Sequence, residues 1–210
     1  MEPSQSDDTG AQTTRIVVVD DDPEIAELYA SWLDEYYEVD VATSGQEALE
    51  VIAEETDVVF LDRKMPKISG DATLRELRRR NVDCSVAMIT AVTPDVDIVD
   101  MGFDEYICKP VQQEDLRELV EVLLARSRFD ETRQRSFALA SKKALLESIH
   151  DPAELEGDEE YQALLARLEA VEDDLQETLE ELIERDDSSW AFQNLGANAG
   201  GDDPALVDSS

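Results

Sequence analysis

The sequence predicts an α/β fold, a doubly wound five-stranded parallel sheet with helices on both faces, followed by an α-helical hairpin. Two observations predict it. Between Arg15 and about Leu124, short β-rich runs alternate with helical patterns, as expected for parallel strands joined by crossover helices. After Pro110, apolar residues recur at spacings of three and four, which is typical of long amphipathic helices.

Five short apolar runs are predicted to be the strands. They are Ile16–Val19, Tyr37–Val41, Val58–Leu61, Val86–Ile89 and Tyr106–Cys108. The first, third and fourth runs are apolar without alternation, as expected for strands that helices cover on both faces. The second run alternates with Glu38 and Asp40, so we expect it at an edge of the sheet.

The helices of this region have recognisable starting residues. Asp22 followed by Pro23 predicts the first N-cap, and Ser44 and Asp71 are predicted to cap the next two helices. Only Pro94 to Met101 is available for a fourth helix, and its apolar pattern is thin, so we expect it to be short or distorted. The two cysteines, Cys84 and Cys108, lack metal-ligand spacing and are expected to be reduced core residues.

A long helix is predicted after the sheet. No helix-breaking residue occurs between Val111 and His150, and Asp151–Pro152 with Gly157 then predict a turn. The helix after this turn carries a heptad seam of about three repeats. Its members are Tyr161, Leu164, Leu168, Val171, Leu175, Thr178 and Leu182.

Charge restricts the classes of partner. Asp and Glu number 52 against 18 Lys and Arg, a formal net charge of −34. Such a chain repels nucleic-acid phosphates and anionic lipid, whereas carboxylates keep a protein hydrated in concentrated salt, so we expect a halophile. The start of the chain has no targeting pattern and no apolar run is long enough for a membrane span, so we expect a cytoplasmic protein without a membrane partner.

The segment 126–150 is the exception to this acidity. It carries six basic side chains against three acidic ones, whereas 151–210 is strongly acidic. An antiparallel hairpin would pair the basic residues with carboxylates of the second helix. They are Arg126, Arg128, Arg133, Arg135, Lys142 and Lys143.

Polar residues follow the predicted strands at the edge where a doubly wound sheet binds ligands. Asp20, Asp21 and Asp22 follow the first strand, Asp62 the third, Thr90 ends the fourth, and Lys109–Pro110 follows the fifth. Clustered carboxylates raise one another's pKa, and a divalent cation relieves that conflict. Mg²⁺ suits an oxygen-only site of this kind, and a carboxylate held in such a site can accept a phosphoryl group.

The sequence resembles the receiver domain of two-component response regulators. The resemblance covers about Arg15 to Leu124 and rests on four pieces in order. They are Val-Val-Asp20-Asp21-Asp22-Pro, Phe-Leu-Asp62-Arg-Lys-Met65-Pro66 with Gly70, Ile-Thr90-Ala, and Tyr106-Ile-Cys-Lys109-Pro110.

This resemblance implies a flavodoxin-like sheet of order 2-1-3-4-5 and a phosphoacceptor role for Asp62. It implies that Asp20, Asp21, Asp62 and the backbone carbonyl of Lys64 hold Mg²⁺, with Mn²⁺ as the alternative ion. Lys109 would contact the phosphoryl group. The resemblance also implies a cis peptide bond between Lys109 and Pro110. Thr90 and Tyr106 would form the switch.

Several features leave alternatives open. One alternative is that the chain is an inert or cofactor-binding relative of the receiver family, although all the site residues fall at their own strand ends. We assign Asp22 to capping rather than to metal binding. Between Thr90 and Gly102 only eleven residues intervene, fewer than the family usually has, which puts the common dimer face in doubt. Val92 is apolar and cannot orient a hydrolytic water, so we expect a durable phosphoryl group.

The C-terminal segment resembles the HalX domain of haloarchaeal regulators, through Ser141-Lys-Lys-Ala-Leu-Leu-Glu and the acidic helix that starts near Tyr161. We therefore expect a disordered segment 1–14, a receiver domain 15–125, a hairpin 126–186 and a disordered tail 187–210. The expected function is a response regulator, phosphorylated by a sensor histidine kinase, that switches binding of a downstream protein.

Three other interpretations of the hairpin are weaker. Regulation of transcription by DNA binding through 126–143 is the main alternative, because six basic residues could contact phosphates. A phosphorelay through His150 is disfavoured, since Pro152 places this histidine at the turn. The heptad seam could pair with a second chain, but we expect it to pack within its own hairpin.

Overall fold

The computed structural model describes residues 13–95 and 98–186. Within that range, residues 15–108 form the sheet and the helices between its strands. The predictions of disorder for 1–14 and 187–210 lie outside the described residues, except at positions 13 and 14. Among the described helices, none combines the length and the apolar character that a bilayer crossing requires.

Five parallel strands form one sheet in the order β2-β1-β3-β4-β5, as predicted. The strands are β1 Arg15–Val19, β2 Glu38–Ala42, β3 Val58–Leu61, β4 Ser85–Thr90 and β5 Glu105–Cys108. Every residue of β3 is buried, whereas most residues of β2 are exposed or half-buried, so the edge position predicted for β2 is confirmed. Because all strands run the same way, the residues that follow them meet at one edge of the sheet.

Three helices join the first four strands. They are α1 Pro23–Leu33, α2 Gly45–Val51 and α3 Gly70–Arg79. On one face of the sheet, Leu74 and Leu77 of α3 belong to the same buried core as Val17 and Leu61. The winding reverses direction after β2, and right-handed crossovers then place α1 on the opposite face from α2 and α3.

The N-caps agree with the sequence at two helices and differ at the third. The side chains of Asp22 and Ser44 accept hydrogen bonds from the first turns of α1 and α2, as predicted. The prediction that Asp71 caps α3 is wrong. Ser69 is the cap, because its hydroxyl accepts from the amide of Ala72 while Asp71 lies inside the first turn and pairs with Arg63.

The connection between β4 and β5 has no α-helix among its described residues. Turns form there instead, with the amide of Met101 donating to the carbonyl of Ile98 (3.0 Å). Residues 96 and 97 lie outside the described residues, so the expectation of a short or distorted fourth helix agrees with the part that is described.

The chain divides into two compact units after Leu116. A continuous helix α4, Gln113–Ile149, crosses this division, and α5 Pro152–Glu156 and α6 Glu159–Asp186 follow it. The sequence predicted only a turn where α5 forms, because five residues are too few to show a helical period. Asp151 caps α5 with its carboxylate.

In the second unit, α4 and α6 form the predicted antiparallel hairpin. Arg128 pairs with Glu181 (3.2 Å) near one end, and the hydroxyl of Tyr161 donates to Glu147 (2.9 Å) near the other. Every residue of the predicted heptad seam on α6 is buried or half-buried. His150 follows the last residue of α4, at the turn, as predicted.

Candidate functional site

Asp20, Asp62 and Lys109 meet beyond the carboxyl edge of the sheet. The ammonium nitrogen of Lys109 lies 2.5 Å from Oδ2 of Asp20 and 2.9 Å from Oδ1 of Asp62. The sheet ladder sets this meeting, because the amide of Asp62 donates to Val19 (2.8 Å) and the amide of Lys109 donates to Thr90 (2.9 Å). Three residues distant in sequence are thus fixed by strand register.

The second oxygen of each carboxylate accepts a backbone hydrogen bond. Oδ1 of Asp20 accepts from the amide of Asp22 (3.0 Å), and Oδ2 of Asp62 accepts from the amide of Lys64 (2.7 Å). Asp20 is only 3% exposed and Asp62 only 6%. Two buried carboxylates held from both sides have little rotational freedom, so the site is ordered before any reactant arrives.

The Lys109 ammonium is held in its charged form. Burial works to lower the pKa of Lys109, but the hydrogen bonds and charges of Asp20 and Asp62 outweigh it, and the pKa lies above the ordinary value. One positive charge then faces two carboxylates. The trio therefore carries a net negative charge, which favours an additional cation.

A glycine allows the loop after Asp62 to close against α3. A Cβ built on Gly70 would lie 2.2 Å from the carbonyl oxygen of Asp62 and 2.9 Å from Cα of Arg63. The amide of Gly70 also donates to the carbonyl of Arg63 (2.9 Å). This position therefore requires a residue without a side chain.

Arg63 ties the same loop to α3 by its side chain. Its guanidinium Nε lies 3.1 Å from Oδ1 of Asp71, and the arginine is buried. Sequence reasoning missed this pair. The signal was an arginine directly after Asp62 and an aspartate directly after Gly70, but the link between them depends on the loop geometry.

An open cleft of about 700 Å³ lies beside the loop that follows Asp62. Asp21 and Lys64, both predicted to contribute to a metal site, line it together with Arg63 and Asp71. Asp21 is exposed, unlike Asp20. Within residues 13–95 and 98–186, no group of three or more His, Cys, Asp or Glu side chains is arranged to hold a metal ion.

The predicted switch residues lie beside one loop. The buried hydroxyl of Thr90 accepts a hydrogen bond from the amide of Val92 (3.3 Å). The hydroxyl of Tyr106 donates to the carbonyl of the same valine (2.8 Å), and its ring packs against Phe103 with centroids 5.6 Å apart. The loop after β4 is therefore hydrogen-bonded to both residues.

The free cysteines occupy separate places. Cys84 is buried and Cys108 half-buried, and burial raises the pKa of both thiols. Such thiols are poorly nucleophilic, which agrees with a core role.

The basic residues of α4 are used partly within the hairpin unit. Arg128 pairs with Glu181 across the hairpin, and Lys143 pairs with Glu147 within α4 (3.2 Å). Arg133 pairs with Asp130, also within α4 (3.1 Å). The predicted pairing between the helices is thus realised at Arg128, whereas the other two pairs are local.

Comparison with known proteins identifies both parts of the chain. The model of the response regulator receiver domain matches residues 16–121, and the model of the HalX domain matches residues 125–192. A CheY-like receiver domain from Methanospirillum hungatei, solved by crystallography, is 29% identical with a TM-score of 0.52. That match covers 55% of this chain and 97% of the other.

Two curated relatives carry regulatory names. A Haloferax volcanii protein described as a transcriptional regulator is 48% identical over 157 residues, 74% of this chain and 27% of that protein. Transcriptional regulatory protein CpxR of Klebsiella pneumoniae is 36% identical over 128 residues, 59% of this chain and 55% of that protein. The chain thus spans about a quarter and about half of these relatives. It belongs to the response regulator receiver family, and a HalX domain follows its receiver domain.

Proposed function

We propose that this chain is a response regulator in which Asp62 accepts a phosphoryl group from a sensor histidine kinase. In the transfer, one carboxylate oxygen of Asp62 bonds to phosphorus while the phosphorus–nitrogen bond of phosphohistidine breaks. The electron pair of that bond remains on the imidazole nitrogen. The observation that carries the proposal is the buried contact of Lys109 with both Asp20 and Asp62.

Lys109 has two roles in this proposal. Its ammonium keeps the Asp62 carboxylate in place before transfer, and it is a donor for a phosphoryl oxygen afterwards. Since its pKa is raised, it remains charged at neutral pH and needs no proton exchange during the reaction. Such fixed charge is what phosphoryl transfer requires of a protein.

Receiver domains typically bind Mg²⁺ for phosphorylation, and the oxygen donors at this edge suit that ion. The proposed ligands are Asp20, Asp21, Asp62 and the carbonyl of Lys64, and Mn²⁺ is the alternative ion. The residual negative charge of the Asp20–Lys109–Asp62 trio and the exposed Asp21 in the adjoining cleft support the fit. Among the described residues the three carboxylates are not yet gathered as a metal site, so binding would have to draw Asp21 toward the other two. When bound, the ion would neutralise charge on the phosphoryl oxygens.

Thr90 and Tyr106 are the proposed switch. A phosphoryl group on Asp62 offers new acceptor oxygens to the Thr90 hydroxyl. That hydroxyl now accepts from the amide of Val92, and Tyr106 donates to the carbonyl of the same residue. Movement of Thr90 would therefore alter the loop that Tyr106 also holds.

The lifetime of the phosphoryl group stays a prediction. Because Val92 is apolar and cannot orient a hydrolytic water, we expect the phosphoryl group to be durable.

The experiment is labelling with radioactive acetyl phosphate in Mg²⁺ and high salt. Wild-type protein should become labelled, Asp62→Asn should not, and Asp83→Asn should match wild type because Asp83 is an exposed residue outside the site. A purified histidine kinase should likewise phosphorylate wild type and Asp83→Asn but not Asp62→Asn. Equal labelling of Asp62→Asn would refute the assignment.

The output we favour is phosphorylation-dependent binding of a downstream protein, in the cytoplasm of a halophile. Transcription regulation through DNA contact is the alternative, favoured by the names of the relatives and by the unusually basic segment 126–143. A protein that binds duplex DNA through its phosphates should lose affinity steeply as the salt concentration rises. Affinity for promoter fragments that falls in this way, and is lost in Lys142→Glu, would select the alternative.

A further inference from the structure

The hairpin unit exposes an apolar surface on the side of α4 that faces away from α6. Half-buried positions of α4 recur at spacings of three and four, as expected for the face toward α6. They are Phe129, Thr132, Ser136, Leu139, Lys143 and Leu146. On the opposite side, Phe137 is 76% exposed, Leu145 is 61% exposed and Ile149 is 67% exposed.

We define the outer face of α4 as the exposed, uncharged residues on that side. They are Gln134, Phe137, Ala138, Ser141, Ala144, Leu145, Ser148 and Ile149. Two large apolar side chains lie four residues on either side of a serine, with small residues between them. Large exposed apolar groups on one helix face are characteristic of interaction surfaces.

The charge pattern restricts what can cover this face. Between Glu131 and Glu147 there is no Asp or Glu, although the chain has 52 of them in 210 residues. Two copies with a net charge of −34 each would bring carboxylates together over most of their surface. The outer face itself carries no carboxylate and so avoids that repulsion, while cations of the same segment, Arg133, Arg135 and Lys142, flank it and would repel one another between copies until salt screens them. The face is therefore suited to contact between copies of this chain in concentrated salt.

Between residues 137 and 145 the outer face is also symmetric about Ser141. Phe137 and Leu145 lie four residues before and after it, and Ala138 and Ala144 lie three residues before and after it. In an antiparallel pairing around a two-fold axis at Ser141, each Phe137 would meet Leu145 of the second copy. The small residues near the axis would let the helices approach closely.

We propose that the outer face of α4 is a homodimer interface in which two copies pack antiparallel about Ser141. It holds only three large apolar residues per copy, Phe137, Leu145 and Ile149, so it is smaller than the roughly 800 Å² per partner of stable complexes. The dimer is therefore reversible and forms with rising concentration. Because salt screens the net charge, the dimer fraction increases from low to molar salt.

The first experiment measures the mass of the full chain by analytical ultracentrifugation over a range of concentrations in molar salt. Wild type should dimerise, and Phe137→Glu and Leu145→Glu should stay monomeric at the same concentrations. Both residues are exposed, so circular dichroism should show wild-type helix content. Ile183→Glu is the matched control, since Ile183 is 58% exposed but lies on α6, and it should dimerise as wild type does.

The second experiment tests the register. Ser141→Cys should form a disulfide between two copies under mild oxidation, whereas Ser136→Cys, on the side toward α6, should not. Asp62→Asn should dimerise as wild type does, because the interface does not require phosphorylation. Failure of the phosphoryl proposal would thus leave this result unchanged. Monomeric wild type, dimeric Phe137→Glu, or equal cross-linking at 136 and 141 would overturn the interface.

Discussion

Replacing Lys109 with methionine tests the electrostatics of the site most sharply. The ammonium is the cation that contacts the buried carboxylates of Asp20 and Asp62, at 2.5 and 2.9 Å. Methionine keeps an unbranched chain of similar length but leaves both carboxylates without that charge. Removing one partner from a buried charge pair costs about 3–5 kcal/mol. Because the variant no longer has to desolvate a lysine when it folds, we expect its free energy of unfolding to fall by about 3 kcal/mol, the lower end of this range.

The assay is urea unfolding in high salt, with EDTA or with excess Mg²⁺. In EDTA the Lys109→Met variant should be less stable than wild type by about 3 kcal/mol. Mg²⁺ should narrow this difference, because a cation binds the unpaired carboxylates and stabilises the folded state by mass action. Lys142→Met, at an exposed lysine, should change stability by less than about 0.5 kcal/mol. A Lys109→Met variant as stable as wild type in EDTA, or a difference that Mg²⁺ leaves unchanged, would refute the reasoning.

Three further predictions concern the surroundings of the site and α3. Gly70→Ala should destabilise the protein by about 1–3 kcal/mol in thermal or urea unfolding, because its Cβ would clash with the backbone of Asp62 and Arg63. Gly157→Ala should be tolerated, since the nearest atom to its Cβ is 4.0 Å away, and equal losses in both variants would contradict the argument. A double-mutant cycle on Arg63 and Asp71 should give a coupling free energy of about 1–2 kcal/mol, whereas additive effects would show that the pair contributes nothing. Hydrogen bonds from two arginines of α3 lower the pKa of Glu76 to about 2, so its stabilising contribution is present above about pH 4.5 and is lost as pH falls toward 2. A carbon-detected NMR titration of Glu76 with a midpoint near 4.5 would contradict that ion-pair arrangement.

The sheet was predictable because its strands have strong and local signals. Apolar runs without alternation identified β1, β3 and β4, and the alternation around Val39 identified an edge strand. Parallel strands place the residues after them at one edge, so the meeting of Asp20, Asp62 and Lys109 followed from the order of the elements.

Features that depend on three-dimensional closure were not predictable in the same way. Asp71 was a reasonable cap by residue type, but Ser69 is the cap because Gly70 lets the helix begin two residues earlier. The Arg63–Asp71 pair follows from that same approach of two backbone segments. The short helix α5 has too few residues to show a period in the sequence.

The measurement that bears most directly on the central claim is the position of the phosphoryl group. Protein treated with acetyl phosphate and Mg²⁺ in high salt should be digested at low temperature, and the modified residue located by fragment mass spectrometry. We predict a single base-labile adduct on the carboxylate of Asp62. An adduct on Asp20, Asp21 or another residue, with Asp62 unmodified, would contradict it.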